Sequence, residues 1–145
     1  MSKLVVWIVY DELGELDKAK EAVESAAEQI PYTLEIKTHN SFSWPNGQPS
    51  TKGTLPDVLV LDLVEDGECK GGDFYQELRH CERQQQRPPA FVIIWSGRWD
   101  NPAAVAFADR VRRDDPFIYD LDGIKTKGRL KVAIEGIAKR IEEER

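Results

Sequence analysis

The sequence lacks several features that define whole classes of protein. Its two cysteines, Cys69 and Cys81, do not make a disulfide framework, and their spacing with the two histidines matches no zinc template. No apolar run approaches the roughly 18–20 residues of a membrane span, and the first residues lack the cleavage site of a secretion signal. We therefore expect a cytoplasmic protein that does not enter a membrane.

Basic runs and glycine-rich phosphate loops are also missing. The chain carries 26 acidic and 20 basic residues, a net charge of −6, and has no basic block, so we do not expect it to bind nucleic acid. It contains neither of the glycine motifs that bind dinucleotides or nucleoside triphosphates. The length of 145 residues suits a single domain, 1–145, with a full hydrophobic core.

What the chain does have is an alternation of apolar strands and amphipathic helices. Nearly continuous apolar runs at residues 4–10, 58–63 and 91–95 predict strands that are buried on both faces, and shorter strands are expected at 32–36 and 117–119. Four stripes of apolar residues at helical spacing lie between or after them. Their members are Leu16, Ala19, Val23, Ala26 and Ile30; Phe74, Leu78 and Cys81; Ala104, Phe107, Ala108 and Val111; and Leu130, Ile134, Ile137 and Ile141. This pattern predicts a doubly wound α/β fold, a parallel sheet with helices on both faces.

Residues 38–56 interrupt the alternation. The segment holds three prolines and two glycines, and a loop of this length inside a compact domain is more often functional or disordered than passive. It also contains Phe42 and Trp44. These aromatic side chains either fold back on the core or form a tip that binds a partner.

Polar residues follow the predicted strands. Asp11 and Glu12 come after the first strand, Asp62 lies near the end of the third, and Ser96 follows the fourth. The carboxyl ends of parallel strands meet at one edge of the sheet, so these side chains are expected to gather there. Carboxylates of this kind suit Mg²⁺, and one of them could attack a phosphoryl donor. The simpler alternative is that each acid only caps the helix that follows it.

Taken jointly, these motifs resemble the receiver domain of two-component response regulators over almost the whole chain. The most specific part is the stretch 55–63, in which Pro-Asp precedes four apolar residues and Asp62. The remaining parts are Tyr10-Asp11-Glu12, Gly71-Gly72 and Ser96-Gly97. The resemblance implies a flavodoxin-like, five-stranded parallel sheet of order 2-1-3-4-5, with the loop 38–56 in place of the second helix.

The resemblance also implies the roles of individual residues. Asp62 would be the phosphoacceptor, which takes phosphoryl from a histidine kinase. Mg²⁺ would be held by the carboxylates of Asp11, Glu12 and Asp62 and by the backbone carbonyl of Val64. The response to phosphorylation would then run through a switch hydroxyl and a switch aromatic.

The switch hydroxyl would be that of Ser96, and the switch aromatic would be Phe117. Two other positions depart from the receiver pattern. Tyr10 stands where receivers have the first of two adjacent acids, unless Asp11 and Glu12 are that pair shifted by one. Asp120 stands where receivers have a lysine that pairs with the phosphorylated aspartate. A carboxylate at that point would repel a phosphoryl group by about a kilocalorie per mole or more.

We predict a stand-alone receiver-like signalling domain that turns over no external substrate. In one version Asp62 is phosphorylated, and in the other the chain is a pseudo-receiver that binds partners without phosphorylation. The residues at positions 10 and 120 favour the second version. Its partner would be a histidine kinase or another signalling protein, and the last strand and helix offer a face for self-association. The alternative is a small α/β enzyme, TIR-like or phosphohydrolase-like, that uses the same strand-end acids.

Overall fold

A computed structural model of the chain describes residues 2–10, 12–42, 54–65, 67–95, 101–120 and 127–144. This part of the chain forms five strands and four helices. The strands are β1 (Ser2–Val9), β2 (Tyr32–His39), β3 (Val58–Leu61), β4 (Phe91–Ile94) and β5 (Ile118–Asp120). The helices are α1 (Leu13–Ala27), α2 (Lys70–Gln85), α3 (Pro102–Asp114) and α4 (Lys127–Glu144). None of these helices has the length and hydrophobicity of a membrane span.

The five strands form one parallel sheet in the order β2-β1-β3-β4-β5. This order confirms the predicted doubly wound, flavodoxin-like architecture. Because β1 lies between β2 and β3, the chain reverses direction across the sheet at β1 and β3. In sheets of this type the crevice that binds ligands opens at that reversal, beyond the carboxyl ends of the strands.

The sheet is covered on both faces because successive side chains of a strand point to opposite sides. In β1, Leu4, Val6 and Ile8 pack on the face covered by α1 and α4. Val5 and Trp7 pack on the other face, which is covered by α2 and α3. Both faces of β1, β3 and β4 therefore meet a core, which explains why their sequences are nearly continuous apolar runs.

The segment between β2 and β3 is described only at its two ends. Strand β2 continues to His39, so the end of the strand lies two residues inside the predicted loop. Residues 40–42 and 54–57 contain no helix, and Phe42 is buried in the core beside α2. Trp44 and the rest of 43–53 lie outside the described residues. For Phe42, the structure supports packing on the core.

Asp57, the acid of the Pro-Asp pair in the most specific motif, has a structural role. Its Oδ2 accepts a hydrogen bond of 2.8 Å from the backbone N–H of Val5, across β1 and β3. Arg87 approaches the other carboxylate oxygen at 3.6 Å and donates a hydrogen bond to the carbonyl of Leu55. This part of the motif therefore holds the amino-terminal edge of the sheet together, at the opposite end from Asp62.

Asn101 fastens α3 to the loop that follows β3. Its side-chain oxygen accepts a hydrogen bond of 3.0 Å from the backbone N–H of Ala104, and its amide nitrogen donates one of 2.8 Å to the carbonyl of Gly67. Pro102 occupies the first turn, where its missing N–H costs nothing. Asparagine followed by proline is a residue pair typical of a helix start.

Replacing Asn101 with alanine is expected to lower the free energy of unfolding by about 1 kcal/mol, because the cap and the bond to Gly67 are both lost. Urea denaturation followed by circular dichroism measures the change. Asn101→Asp is the matched control, since it keeps the capping oxygen but cannot donate to Gly67, and we expect a smaller loss. Equal stability of Asn101→Ala and the wild type would show that the cap contributes nothing.

Candidate functional site

Three side chains lie side by side at the carboxyl edge of the sheet. Tyr10, Asp62 and Trp95 each follow directly on a strand, β1, β3 and β4 respectively. Backbone hydrogen bonds keep them level, because Asp62 N–H donates to the Val9 carbonyl at 3.2 Å and Trp95 N–H donates to the Leu61 carbonyl at 3.1 Å. Tyr10 and Trp95 belong to the core beside α1 and α4. By the alternation of β3, Asp62 points to the same face.

Asp62 is enclosed rather than open to solvent. Only 5% of the residue is exposed, and its Oδ1 accepts a hydrogen bond of 2.9 Å from the backbone N–H of Leu63. The fully buried rings of Tyr10 and Trp95 meet edge to face, with centroids 5.8 Å apart. The residues on either side of Asp62 are thus aromatic and in contact with each other.

The Tyr10 hydroxyl is held in its neutral form. Burial raises the pKa of Tyr10 well above its ordinary value, and the negative charges of Asp62 and Glu15 raise it further. A phenol that stays protonated offers no negative charge to a cation. In the alignment that places Tyr10 at the first of the two receiver acids, that position is therefore a neutral aromatic group here.

Of the predicted magnesium ligands, the structure describes Glu12, Asp62 and Val64. Glu12 is exposed and precedes α1, where its carbonyl accepts a hydrogen bond from Leu16 N–H and its carboxylate makes no capping bond. Val64 is buried, like Asp62. Within 2–10, 12–42 and the other described ranges, no three His, Cys, Asp or Glu side chains form a group that could hold a metal ion.

Mg²⁺ takes near-octahedral oxygen ligands and keeps several of its waters. Asp11 lies outside the described residues, so the magnesium prediction depends on a side chain that this structure does not describe.

The structure describes only one of the two predicted switch residues. Ser96 lies outside the described residues. Phe117 precedes β5, its carbonyl accepts a hydrogen bond from Val92 N–H, and its ring packs edge to face on Phe91 at 5.3 Å. Since Phe91 is the first residue of β4 and Trp95 is level with Asp62, Phe117 lies about 13 Å along the strands from the level of Asp62. The structure does not bring Phe117 next to Asp62.

Asp120 ends β5 and pairs in register with Ile94 of β4. Its backbone is therefore one residue short of the level of Asp62, at the same edge of the sheet. Tyr119, which pairs with Ile93, is the aromatic residue of β5 nearer to that edge. The backbone of Asp120 therefore lies at the same edge of the sheet as Asp62, and Phe117 lies toward the opposite edge.

The contact between Tyr10 and Trp95 is the feature of this site that the sequence did not indicate. Both residues are the last of their predicted apolar runs, so the sequence places each of them in the core. Their meeting across the level of Asp62 depends on the register of three strands, β1, β3 and β4.

The topology and the strand-end positions define a fold that response-regulator receiver domains share. Among solved structures, the receiver domain of a Rhodospirillum rubrum response regulator aligns with a TM-score of 0.57 at 13% identity, covering 96% of this chain and 94% of that one. A Burkholderia pseudomallei response regulator, solved with a phosphorylated aspartic acid, a calcium ion and citrate, gives 0.57 and 13%, covering 97% and 72%.

A fusion protein containing the trimeric coiled coil of yeast Spc42 gives a TM-score of 0.64 at 16% identity, covering 99% of this chain and 81% of that one. No protein-family model matches the chain, and no curated protein is significantly similar to it. At such low identities these similarities establish the fold alone.

Proposed function

We propose that the chain is a receiver-like signalling domain of the pseudo-receiver kind, which acts in the cytoplasm by binding a partner protein and does not accept phosphoryl at Asp62. The observation that carries the proposal is the enclosure of Asp62, which is 5% exposed between the contacting residues Tyr10 and Trp95. A phosphoryl donor has to reach the carboxylate oxygen in line with the bond that breaks. An enclosed carboxylate does not permit that approach.

The surroundings of Asp62 also disfavour a phosphorylated state. A phosphoryl group carries about two negative charges and needs cations or N–H donors around it. Tyr10 supplies no charge, and at Asp120 the chain has an acid where the receiver pattern has a lysine. The added charge would therefore be placed in a site with aromatic walls, where desolvation is costly.

On this proposal the chain is not an enzyme, and its partner is a histidine kinase or another signalling protein recognised through surface contacts. Self-association through β5 and α4 stays an untested prediction. The described residues give no specific support to the alternative of a small α/β enzyme. Any response must then come from binding rather than from turnover.

Exposure to acetyl phosphate with Mg²⁺ is expected to leave the mass of the protein unchanged, and beryllofluoride is expected to leave its tryptophan fluorescence unchanged. A receiver domain that does take phosphoryl from acetyl phosphate serves as the positive control in the same buffer. The proposal would be wrong if the protein gained the mass of one acid-labile phosphoryl group and Asp62→Asn abolished the gain.

A further inference from the structure

Strand β2 forms one edge of the sheet, and among the described residues only β1 pairs with it. It has eight residues, whereas β5 at the opposite edge has three. It contains neither glycine nor proline, the residues that weaken or interrupt pairing along a strand. A long edge strand of this kind offers the N–H and carbonyl groups of its outer side to another strand.

The backbone groups on the outer side of β2 belong to alternate residues. Tyr10 N–H donates a hydrogen bond of 3.0 Å to the carbonyl of His39, so the backbone groups of His39 face β1. The N–H and carbonyl of one residue point to the same side of a strand, and those of the next residue point to the other side. The groups that face outward therefore include those of Leu34, Ile36 and Thr38.

The side chains of β2 divide between the two faces of the sheet. Leu34 and Ile36 are half-buried on the face covered by α1 and α4. By the alternation of the strand, Glu35 and Lys37 lie on the other face. Lys37 is exposed, and the carboxylate of Glu35 lies 3.7 Å from the Nζ of Lys3 on a side chain that is 41% exposed. One face of the edge thus carries an acid and a base two residues apart, and the other carries two aliphatic side chains.

A second copy of β2, running antiparallel, matches these groups in one register. With Ile36 opposite Ile36 of the copy, outward-facing residues lie opposite each other and exchange hydrogen bonds. Each Glu35 then lies directly opposite Lys37 of the other copy, which is favourable. A shift of two residues places either two glutamates or two lysines opposite each other, which is destabilising. A shift of one residue sets outward-facing groups against groups that already bond β1.

We propose that β2 is the contact between two copies of this chain, which join their sheets edge to edge with Ile36 on the two-fold axis. The pairing also covers the half-buried side chains of Leu34 and Ile36. A second copy fits better than an unrelated strand, because the acid and the base of β2 are spaced to pair with each other across that axis. This contact goes beyond the proposed function and does not depend on it, since Asp62 follows β3, two strands away.

Cysteine cross-linking under mild oxidation tests the register. Ile36→Cys places two thiols opposite each other at a Cα separation of about 5.5 Å, which a disulfide can span. Leu34→Cys on the same face is the matched control, because position 34 lies opposite Thr38 and the two thiols would be about 13 Å apart along the strands. We expect a covalent dimer on a non-reducing gel for Ile36→Cys only. The wild type, treated in the same way, controls for Cys69 and Cys81.

Sedimentation velocity measures association without cross-linking, and we expect a concentration-dependent dimer for the wild type. Lys37→Glu is expected to weaken the dimer about tenfold, because glutamates then lie opposite each other at positions 35 and 37. Combining it with Glu35→Lys exchanges the two charges and is expected to restore the dimer. Circular dichroism shows whether each variant is folded.

Three results would overturn this contact. They are a wild type that stays monomeric, equal cross-linking of Leu34→Cys and Ile36→Cys, and no recovery of the dimer when the charges are exchanged. Val132→Glu changes a residue of α4 that is 67% exposed and is expected to leave the dimer unchanged. Loss of the dimer in that variant would place the contact on α4 and would also contradict the proposal. A monomeric wild type would leave the proposal for Asp62 standing, because acetyl phosphate tests that residue separately.

Discussion

Replacing Arg79 with methionine is expected to lower the free energy of unfolding by about 3–5 kcal/mol, because it leaves the buried carboxylate of Glu82 and the partly buried carboxylate of Asp115 without their cation. Arg79 donates hydrogen bonds of 3.0–3.1 Å to Asp115 and one of 2.8 Å to Glu82. It also donates to the carbonyl of Ala90 at 3.0 Å. The side chain thus ties α2 to the start of β4 and to the turn after α3.

The partners of Arg79 hold the same junction from the other side. Glu82 is 3% exposed, and its second oxygen accepts a hydrogen bond from the N–H of Ala90. The hydroxyl of Tyr75 hydrogen-bonds Asp115. Burial acts to lower the pKa of Arg79, but the charges of Glu82 and Asp115 and the hydrogen bonds with Glu82 and Tyr75 raise it on balance. The guanidinium therefore stays charged. Its removal leaves the carboxylates of Glu82 and Asp115 without a positive charge beside them.

Arg112→Met is the matched control for Arg79→Met. Arg112 pairs with Asp109 at 2.7 Å, but about half of each side chain is exposed to solvent. Such a surface pair contributes only about 0–1 kcal/mol, so we expect a small change. Urea denaturation measures both variants. Similar losses in the two would show that the buried network stabilises the fold no more than a surface ion pair.

The Arg79 network marks a limit of prediction from the sequence. Helical spacing of Phe74, Leu78 and Cys81 predicted α2 and its buried face, and the structure confirms both. Burial of Arg79 could not be predicted in the same way, because Asp115 lies 36 residues further along the chain. Sequence patterns show the local periodicity of apolar residues. Whether a charged residue is buried depends on an oppositely charged partner that can lie far away in the sequence.

The same limit applies at the sheet edge. The apolar runs were sufficient to predict the strands and their parallel arrangement, since only a sheet covered on both sides needs them. The acid at position 62 was correctly expected at the end of β3. Its enclosure by Tyr10 and Trp95 was not, because that depends on how β1 and β4 are aligned with β3. The role of Phe117 as the switch aromatic stays a prediction.

Replacing Gly71 with alanine is expected to lower the free energy of unfolding by about 3 kcal/mol or more, because no space exists for a methyl group at this position. An added Cβ would overlap the carbonyl oxygen of Asp62 and lie 2.7 Å from the Cα of Leu63. Both are backbone atoms and cannot rotate away. Gly71 N–H also donates a hydrogen bond of 3.0 Å to the carbonyl of Leu63, which fixes the first turn of α2 against this loop.

Gly136→Ala in α4 is the matched control for Gly71→Ala. A Cβ at Gly136 meets nothing within 4 Å, so only helix propensity changes, and we expect a gain of up to about 1 kcal/mol. Urea denaturation of the two variants should therefore give changes of opposite sign. If Gly71→Ala proved as stable as the wild type, α2 would have to shift away from residues 62–63. The enclosure of Asp62 would then be looser than the close approach of α2 implies.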